Sequence, residues 1–213
     1  IAMPDRLQKQ MDFLVSHPDY ACVVSNFVRF SGTRVFGSYW SDFQHEVSDY
    51  DSRVFGAITP STLCCRRNAW LGLGGFRSFG GKGGADYDFL LRFEEMSKIA
   101  VFNTPLVRYR IHAATSSHRL FAGMQTNVRY IEALAARRRA GQLEITFEEF
   151  TRENNRTCAI PRWHRGLREF GKFRFRKAGI LIGEGRALVG GWNLVLAVVL
   201  SPRHALGRLF ALG

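Results

Sequence analysis

Between Gly74 and His112 the chain sets out residues whose types and order suit acid–base and metal chemistry. The run Ala85-Asp86-Tyr87-Asp88-Phe89-Leu90-Leu91-Arg92 puts two carboxylates at the start of an apolar-periodic segment, hence at the mouth of an amphipathic helix. A carboxylate there can take the proton of a substrate hydroxyl as its oxygen attacks. Ahead of it lies Gly80-Gly81-Lys82-Gly83-Gly84, a stretch that lets backbone approach a ligand closely and move. Behind it, Pro105-Leu106-Val107-Arg108-Tyr109-Arg110-Ile111-His112 reads as a strand that ends at a histidine, where a neutral imidazole can bind a metal. Each piece also has a plainer reading. Asp86 is well placed as a helix N-cap, Asp88 complements the helix dipole, and a lone histidine in a loop is ordinary. His17, His45, His118, His164 and His204 have no comparable setting.

The elements that must position these residues are legible in outline. Met3-Pro4-Asp5-Arg6 opens a helix, with proline in the first turn and Asp5 at the positive end of the dipole. Leu7, Met11, Leu14 and Val15 form its expected apolar face. Tyr20 to Phe30 reads as strand, turning at Ser31-Gly32-Thr33 into a hairpin that returns through Val35 and Phe36. Residues 37–56 are polar and irregular, a loop expected to bear on function. Ile58 to Arg66 is expected as a strand, and Arg67 to Gly72 as a short helix closed by Gly74-Gly75. Asp86 to Ser97 is expected as a helix with Leu90, Phe93 and Met96 inward. Ile99–Phe102 and Leu106–Ile111 are expected as two strands parted by Asn103-Thr104-Pro105.

After Ser116-Ser117 the character changes. Residues 119–140 and 146–157 look helical, the first bearing Arg137-Arg138-Arg139. The expected boundary near residue 118 separates a first domain, 1–118, from a helical, basic extension, 119–213. The 213 residues suffice for one domain with a core plus such an appendage. Net charge is +12 and unevenly spread: about +3 falls on residues 1–120 and about +9 on the remainder. That asymmetry points to a surface-docking segment rather than a nucleic-acid groove. Cys22, Cys64, Cys65 and Cys158 form no metal-type spacing and read as reduced thiols. Cys64 and Cys65 would face opposite sides of a strand.

Taken in order, Pro4-Asp5-Arg6-Leu7-Gln8-Lys9-Gln10, Gly74-Gly75-Phe76, Ala85–Arg92 and Tyr109-Arg110-Ile111-His112 resemble the second half of the catalytic domain of inverting family-2 glycosyltransferases. The first resembles the helix after that family's DxD motif, the second its GGF turn, the third its EDxDLxLR helix and the fourth its YRxH strand. The resemblance covers a little over half of the chain. It implies an α/β fold, a partial GT-A domain with a Rossmann-like mixed sheet and flanking helices, followed by an α-helical C-terminal extension. It implies that Asp86 is the general base and that His112 lies at or near a divalent metal, Mg²⁺ or Mn²⁺. Gly75, Gly83, Gly84, Asp88, Arg92 and Arg110 would support the site or its substrates. The partners it implies are a nucleotide-sugar donor and a saccharide or lipid-linked acceptor. Ala85 stands where the family carries glutamate. The nucleotide-binding units and the DxD motif would lie upstream of Ile1, so this chain alone is expected not to turn over.

Residues 161–213 carry ten Lys/Arg against Glu169 and Glu184, interleaved with Trp163, Leu167, Phe170, Phe173 and Phe175. Ala187 to Leu200 is apolar but shorter than the roughly 20 residues a bilayer span needs. With Trp192 and its basic flank it reads as an interfacial helix on an anionic membrane, which places the protein on the cytoplasmic face of the plasma membrane. The same segment also reads as a helical cap with a solvated basic side. Two further readings compete with the enzyme: a basic nucleic-acid-binding module, which lacks any reader motif, and a non-catalytic remnant that binds a glycan or partner.

Overall fold

The computed structural model describes residues 1–31, 34–38, 45–55, 58–80, 83–111, 121–156 and 159–210. In chain order its elements are α1 (Arg6–Ser16), β1 (Tyr20–Ser31), β2 (Arg34–Ser38), β3 (Val47–Asp49), α2 (Ser52–Phe55), β4 (Cys64–Cys65), α3 (Arg67–Gly72), α4 (Ala85–Glu94) and β5 (Lys98–Arg110). The helices α5 (Phe121–Arg139), α6 (Phe147–Arg156), α7 (Ala159–Gly183), α8 (Ala187–Leu200) and α9 (Pro202–Phe210) follow. The chain is a mixed α/β protein whose chain contacts divide into two units. One comprises Ile1–Arg110 with Ala135–Gln142, the other Ile111–Leu134 with Leu143–Gly213. The boundary expected near residue 118 falls on residues outside those described.

The first unit is built on β1 and β5, which pair in parallel from Tyr20 opposite Lys98 to Phe30 opposite Arg110. The remaining pairs are antiparallel: β2 and β4 share the other edge of β1, and β3 lies against β5. Both faces of this sheet are covered, so its two central strands read as nearly continuous apolar runs. Alternation then sorts their side chains into two cores. Cys22, Val24, Ile99 and Val101 meet Phe89, Leu90 and Phe93 of α4. Val23, Ala100, Phe102 and Leu106 meet Leu14 and Phe13 of α1 on the other side. Cys65 packs with the first core and Cys64 with the second, as neighbouring strand residues must. Cys22, Cys64 and Cys65 are free thiols.

The hairpin of β1 and β2 and the short α3 form where the sequence places them. Four local expectations are corrected. First, α1 does not bury its Leu7, Met11 and Val15, which are exposed; it buries Leu14 and the polar Gln10. Gln10 is tolerated because its amide donates to the Thr62 carbonyl at 2.7 Å, while its Oε1 accepts from Arg6 Nε at 3.0 Å.

Second, the strand expected over 58–66 shrinks to two residues. Pro60 offers no N–H and starts a 3₁₀ turn over Pro60–Thr62, although Ile58 still fills the core. Third, the two strands expected around Asn103-Thr104-Pro105 are one, β5. Pro105 sits opposite Asn26 where the parallel register shifts, a position that tolerates a residue without a donor. Asn26 fills the gap: its amide donates to the Asn103 carbonyl at 3.0 Å and its Oδ1 accepts the Phe27 N–H at 2.8 Å. Fourth, Met96 is exposed, because α4 ends at Glu94 and the chain turns toward β5. The polar stretch 37–56 also contains regular structure, β3 and α2, both after residues 39–44, which lie outside the description.

The arginine triplet at the end of α5 belongs to the first unit and is largely neutralised. Arg138 contacts Glu95 at 2.7 and 3.1 Å, and Arg139 contacts Glu94 at 3.0 Å. The two carboxylates close the C-terminal end of α4, where the helix dipole disfavours negative charge, so the arginines offset that cost. Glu94 also accepts the Ser52 N–H at 3.0 Å and so fastens the start of α2.

Candidate active site

The site begins at the turn between α3 and α4. After Leu73 the backbone turns through Gly74 (φ +71°) and Gly75 (φ +68°), a conformation that side chains with a Cβ disfavour. At Gly75 an added Cβ would also meet the Trp70 indole at 3.1 Å. Trp70, Phe76 and Phe89 form an aromatic cluster with ring centroids 4.6 to 5.2 Å apart, which seats the turn against α4. The next glycines, Gly83 (φ +81°) and Gly84 (φ +101°), deliver the chain into α4, with Gly84 at its N-cap. Gly81 and Lys82 lie outside the described residues.

In α4 every side chain from Tyr87 to Phe93 is buried, including Asp88 and Arg92. The helix expected to be amphipathic is therefore enclosed on its polar side as well. Arg92 Nε contacts Asp88 Oδ2 at 2.8 Å, one turn apart. The other guanidinium nitrogens donate to the Leu73 carbonyl at 2.6 Å and to the Gly75 carbonyl at 2.7 Å. Arg77 reaches Asp88 Oδ2 at 3.6 Å from the far side of the turn. Asp88, Arg92 and Gly75 thus come together as a clasp that holds the glycine turn on the helix. Arg77 was missed by sequence reasoning; its only signal is its place directly after Gly74-Gly75-Phe76.

Asp86 has a different environment. Its carboxylate is half-buried, its Oδ1 accepts the Tyr87 N–H at 3.0 Å, and it pairs with no cation among the described residues. Burial raises its pKa above the ordinary 3.8, while hydrogen bonds from the Tyr87 and Asp86 N–H groups pull the other way. Two carboxylates in one helical turn are therefore set apart, Asp88 committed to an ion pair and Asp86 open to act as a base.

Arg110 contacts an aromatic ring of β1. At the end of β5 it is exposed, with its guanidinium 5.6 Å from the Phe30 ring centroid and Arg108 on the same ring at 5.0 Å. His112 lies outside the described residues. Among those described, no group of three or more His, Cys, Asp or Glu side chains could hold a metal. The described residues therefore do not by themselves make the donor set that a divalent ion needs.

Set against protein-family models, curated proteins and solved structures, the chain matches none of them. What its fold defines is a mixed α/β class, a mixed sheet between helices joined to further helices.

Proposed function

We propose that residues 1–118 are the acceptor-side half of a GT-A glycosyltransferase domain and that Asp86 is its general base. The observation that carries this reading is the Asp86 carboxylate, half-buried, its pKa raised by burial and paired with no cation among the described residues, in the first turn of a helix entered through Gly83 and Gly84. The clasped Gly74-Gly75 turn and the mixed sheet with helices on both faces support it.

In the reaction, an acceptor hydroxyl approaches the anomeric carbon of a nucleotide sugar. As its oxygen forms the new C–O bond, its proton passes to an Asp86 carboxylate oxygen. The bond to the diphosphate breaks with its electron pair, the nucleoside diphosphate leaves and the anomeric centre inverts. A partly desolvated carboxylate is a stronger base than one in water, which suits this step. A divalent ion would supply charge neutralisation at the leaving diphosphate. Gly83 and Gly84, which reach backbone conformations closed to other residues, would let the chain before Asp86 approach the substrates closely and limit hydrolysis.

The test measures release of nucleoside diphosphate from a panel of nucleotide sugars with saccharide and lipid-linked acceptors, in Mg²⁺ or Mn²⁺. Where transfer is measured, Asp86→Asn should lower it by about 10²–10⁴-fold without loss of fold. Transfer at the unaltered rate in that variant removes Asp86 as base. Saccharide binding without transfer would favour a non-catalytic glycan-binding protein.

A further inference from the structure

Within the second unit α7 and α8 form a hairpin joined through Glu184-Gly185-Arg186, with Gly185 in the left-handed conformation at φ +81°. Their contact is made by small residues. A Cβ on Gly190 would meet Ile182 Cγ1 at 2.5 Å, and one on Gly171 would meet Ser201 Cβ at 2.6 Å. The buried residues of α8 are Gly190, Asn193 and Ala197. Asn193 fixes the helix's rotation: its Oδ1 accepts from Arg174 at 3.0 Å and its amide donates to the Val189 carbonyl at 2.7 Å.

This packing turns the large apolar side chains of α8 outward. Leu188, Trp192, Val195 and Val199 are 92, 64, 53 and 71% exposed. Their spacing of four, three and four residues makes a single ridge on one helix face. A helix that only capped a core would bury this face and expose the small one.

The charges around the ridge select its occupant. From Gly185 to Gly213 there is no Asp or Glu. Arg186 and Arg203, both exposed, bracket the ridge at its two ends. If two copies paired along α8, parallel pairing would set Arg186 against Arg186 and antiparallel pairing would set Arg186 against Arg203. No carboxylate in that segment relieves either arrangement. A surface that is apolar inside and negative at its boundary fits both features. Spanning is ruled out by length: 14 residues of helix reach about 21 Å, short of a hydrocarbon core of about 30 Å. Among the described residues no helix is long and apolar enough to cross a membrane.

We infer that the outward ridge of α8 docks on an anionic bilayer surface. The helix lies in the interfacial plane, with Leu188, Trp192, Val195 and Val199 inserted and Arg186 and Arg203 against the lipid phosphates. The inference rests on the second unit alone and is independent of the proposed glycosyl transfer.

The experiment is co-sedimentation of the full chain with vesicles of phosphatidylcholine, pure or mixed with phosphatidylglycerol. The chain should bind the mixed vesicles, release at high salt and bind pure phosphatidylcholine far more weakly. Trp192→Glu, at an exposed position, should weaken binding by at least about tenfold with the circular dichroism of the parent retained. The double variant Arg186→Glu/Arg203→Glu, which leaves the ridge intact, should remove the preference for the anionic vesicles. Leu143→Glu, an exposed apolar site elsewhere, should bind as the parent does. No binding by the parent chain, or equal binding by the ridge and charge variants, overturns the inference. So does a concentration-dependent dimer, read by sedimentation velocity, that Trp192→Glu abolishes.

Discussion

Arg92 and Asp88 form a buried ion pair at 2.8 Å, and the same guanidinium holds the carbonyls of Leu73 and Gly75. One side chain thereby ties the end of α3, the glycine turn and α4 together. These are the residues that the family resemblance assigns to a supporting role. The pair fixes the turn whose chain leads toward Asp86.

Arg92→Met leaves Asp88 buried with only the longer Arg77 contact and strips donors from two carbonyls. Urea unfolding should show a loss of about 3–5 kcal/mol. Adding Asp88→Leu removes the stranded charge and should recover part of that loss. The remainder, about 1–3 kcal/mol for each buried carbonyl left unpaired, should persist. Full recovery in the double variant would mean that the carbonyl contacts carry no weight.

Gly74→Ala and Gly75→Ala make a matched pair. Both impose a left-handed conformation on a residue with a Cβ, at about 1–2 kcal/mol. Only at Gly75 does the Cβ also meet Trp70, at 3.1 Å, whereas at Gly74 nothing lies within 4 Å. Gly75→Ala should therefore lower the melting temperature more than Gly74→Ala and should alter the near-UV aromatic circular dichroism.

Asp86 links stability to pH through its burial. Its folded pKa is raised by burial above the ordinary 3.8, so the native state holds the proton more tightly than the unfolded chain. The stability this contributes is fully present below the unfolded pKa and is lost as pH rises through the folded one. Asp86→Asn removes the ionisation. It should be more stable than the parent near neutral pH, and the difference should vanish at pH values below about 3.8. Urea midpoints of the two proteins across pH measure it; a variant that is less stable throughout would refute the burial argument.

Gly190→Ala and Gly191→Ala should move stability in opposite directions. At Gly190 the new Cβ runs into Ile182 Cγ1 at 2.5 Å and must spread α7 from α8, whereas at Gly191 nothing lies within 4 Å. Gly191→Ala should gain about 0.5–1 kcal/mol from helix propensity alone, and Gly190→Ala should lose stability. Thermal melts of the two variants decide it.

Periodicity and turn chemistry make much of this fold legible. The hairpin after β1, α3 with its glycine stop, α4, α5 and α6 all follow from local signals. What is not legible depends on partners distant in sequence. Gln10 looks like a solvent-facing helix residue, and only the Thr62 carbonyl, 52 residues on, makes its burial tolerable. The apolar stripe Leu7, Met11 and Val15 obeys the helical period, yet the sheet meets the helix along Gln10 and Leu14 instead. Pro105 reads as a strand breaker until Asn26 supplies the missing hydrogen bonding across the sheet. At the site, the acidic pair was visible as a pair. Its division of labour was not: the Asp88–Arg92 pair is a local contact one turn apart, but the reach of Arg77 across the glycine turn to Asp88, and the lack of a cation on Asp86 among the described residues, are matters of tertiary geometry.

Cys64 and Cys65 are joined by one peptide bond yet rest in different interiors, one under α1 and the other under α4. Burial raises the pKa of both thiols, so neither reacts readily while its own layer is closed. A pulse of thiol reagent, read by mass spectrometry after proteolysis, therefore gives two clocks at one address. Modification of Cys64 times the lifting of α1 from the sheet, and modification of Cys65 times the parting of α4. Unequal rates would mean that the helix bearing Asp86 can leave its strand while the opposite layer stays shut.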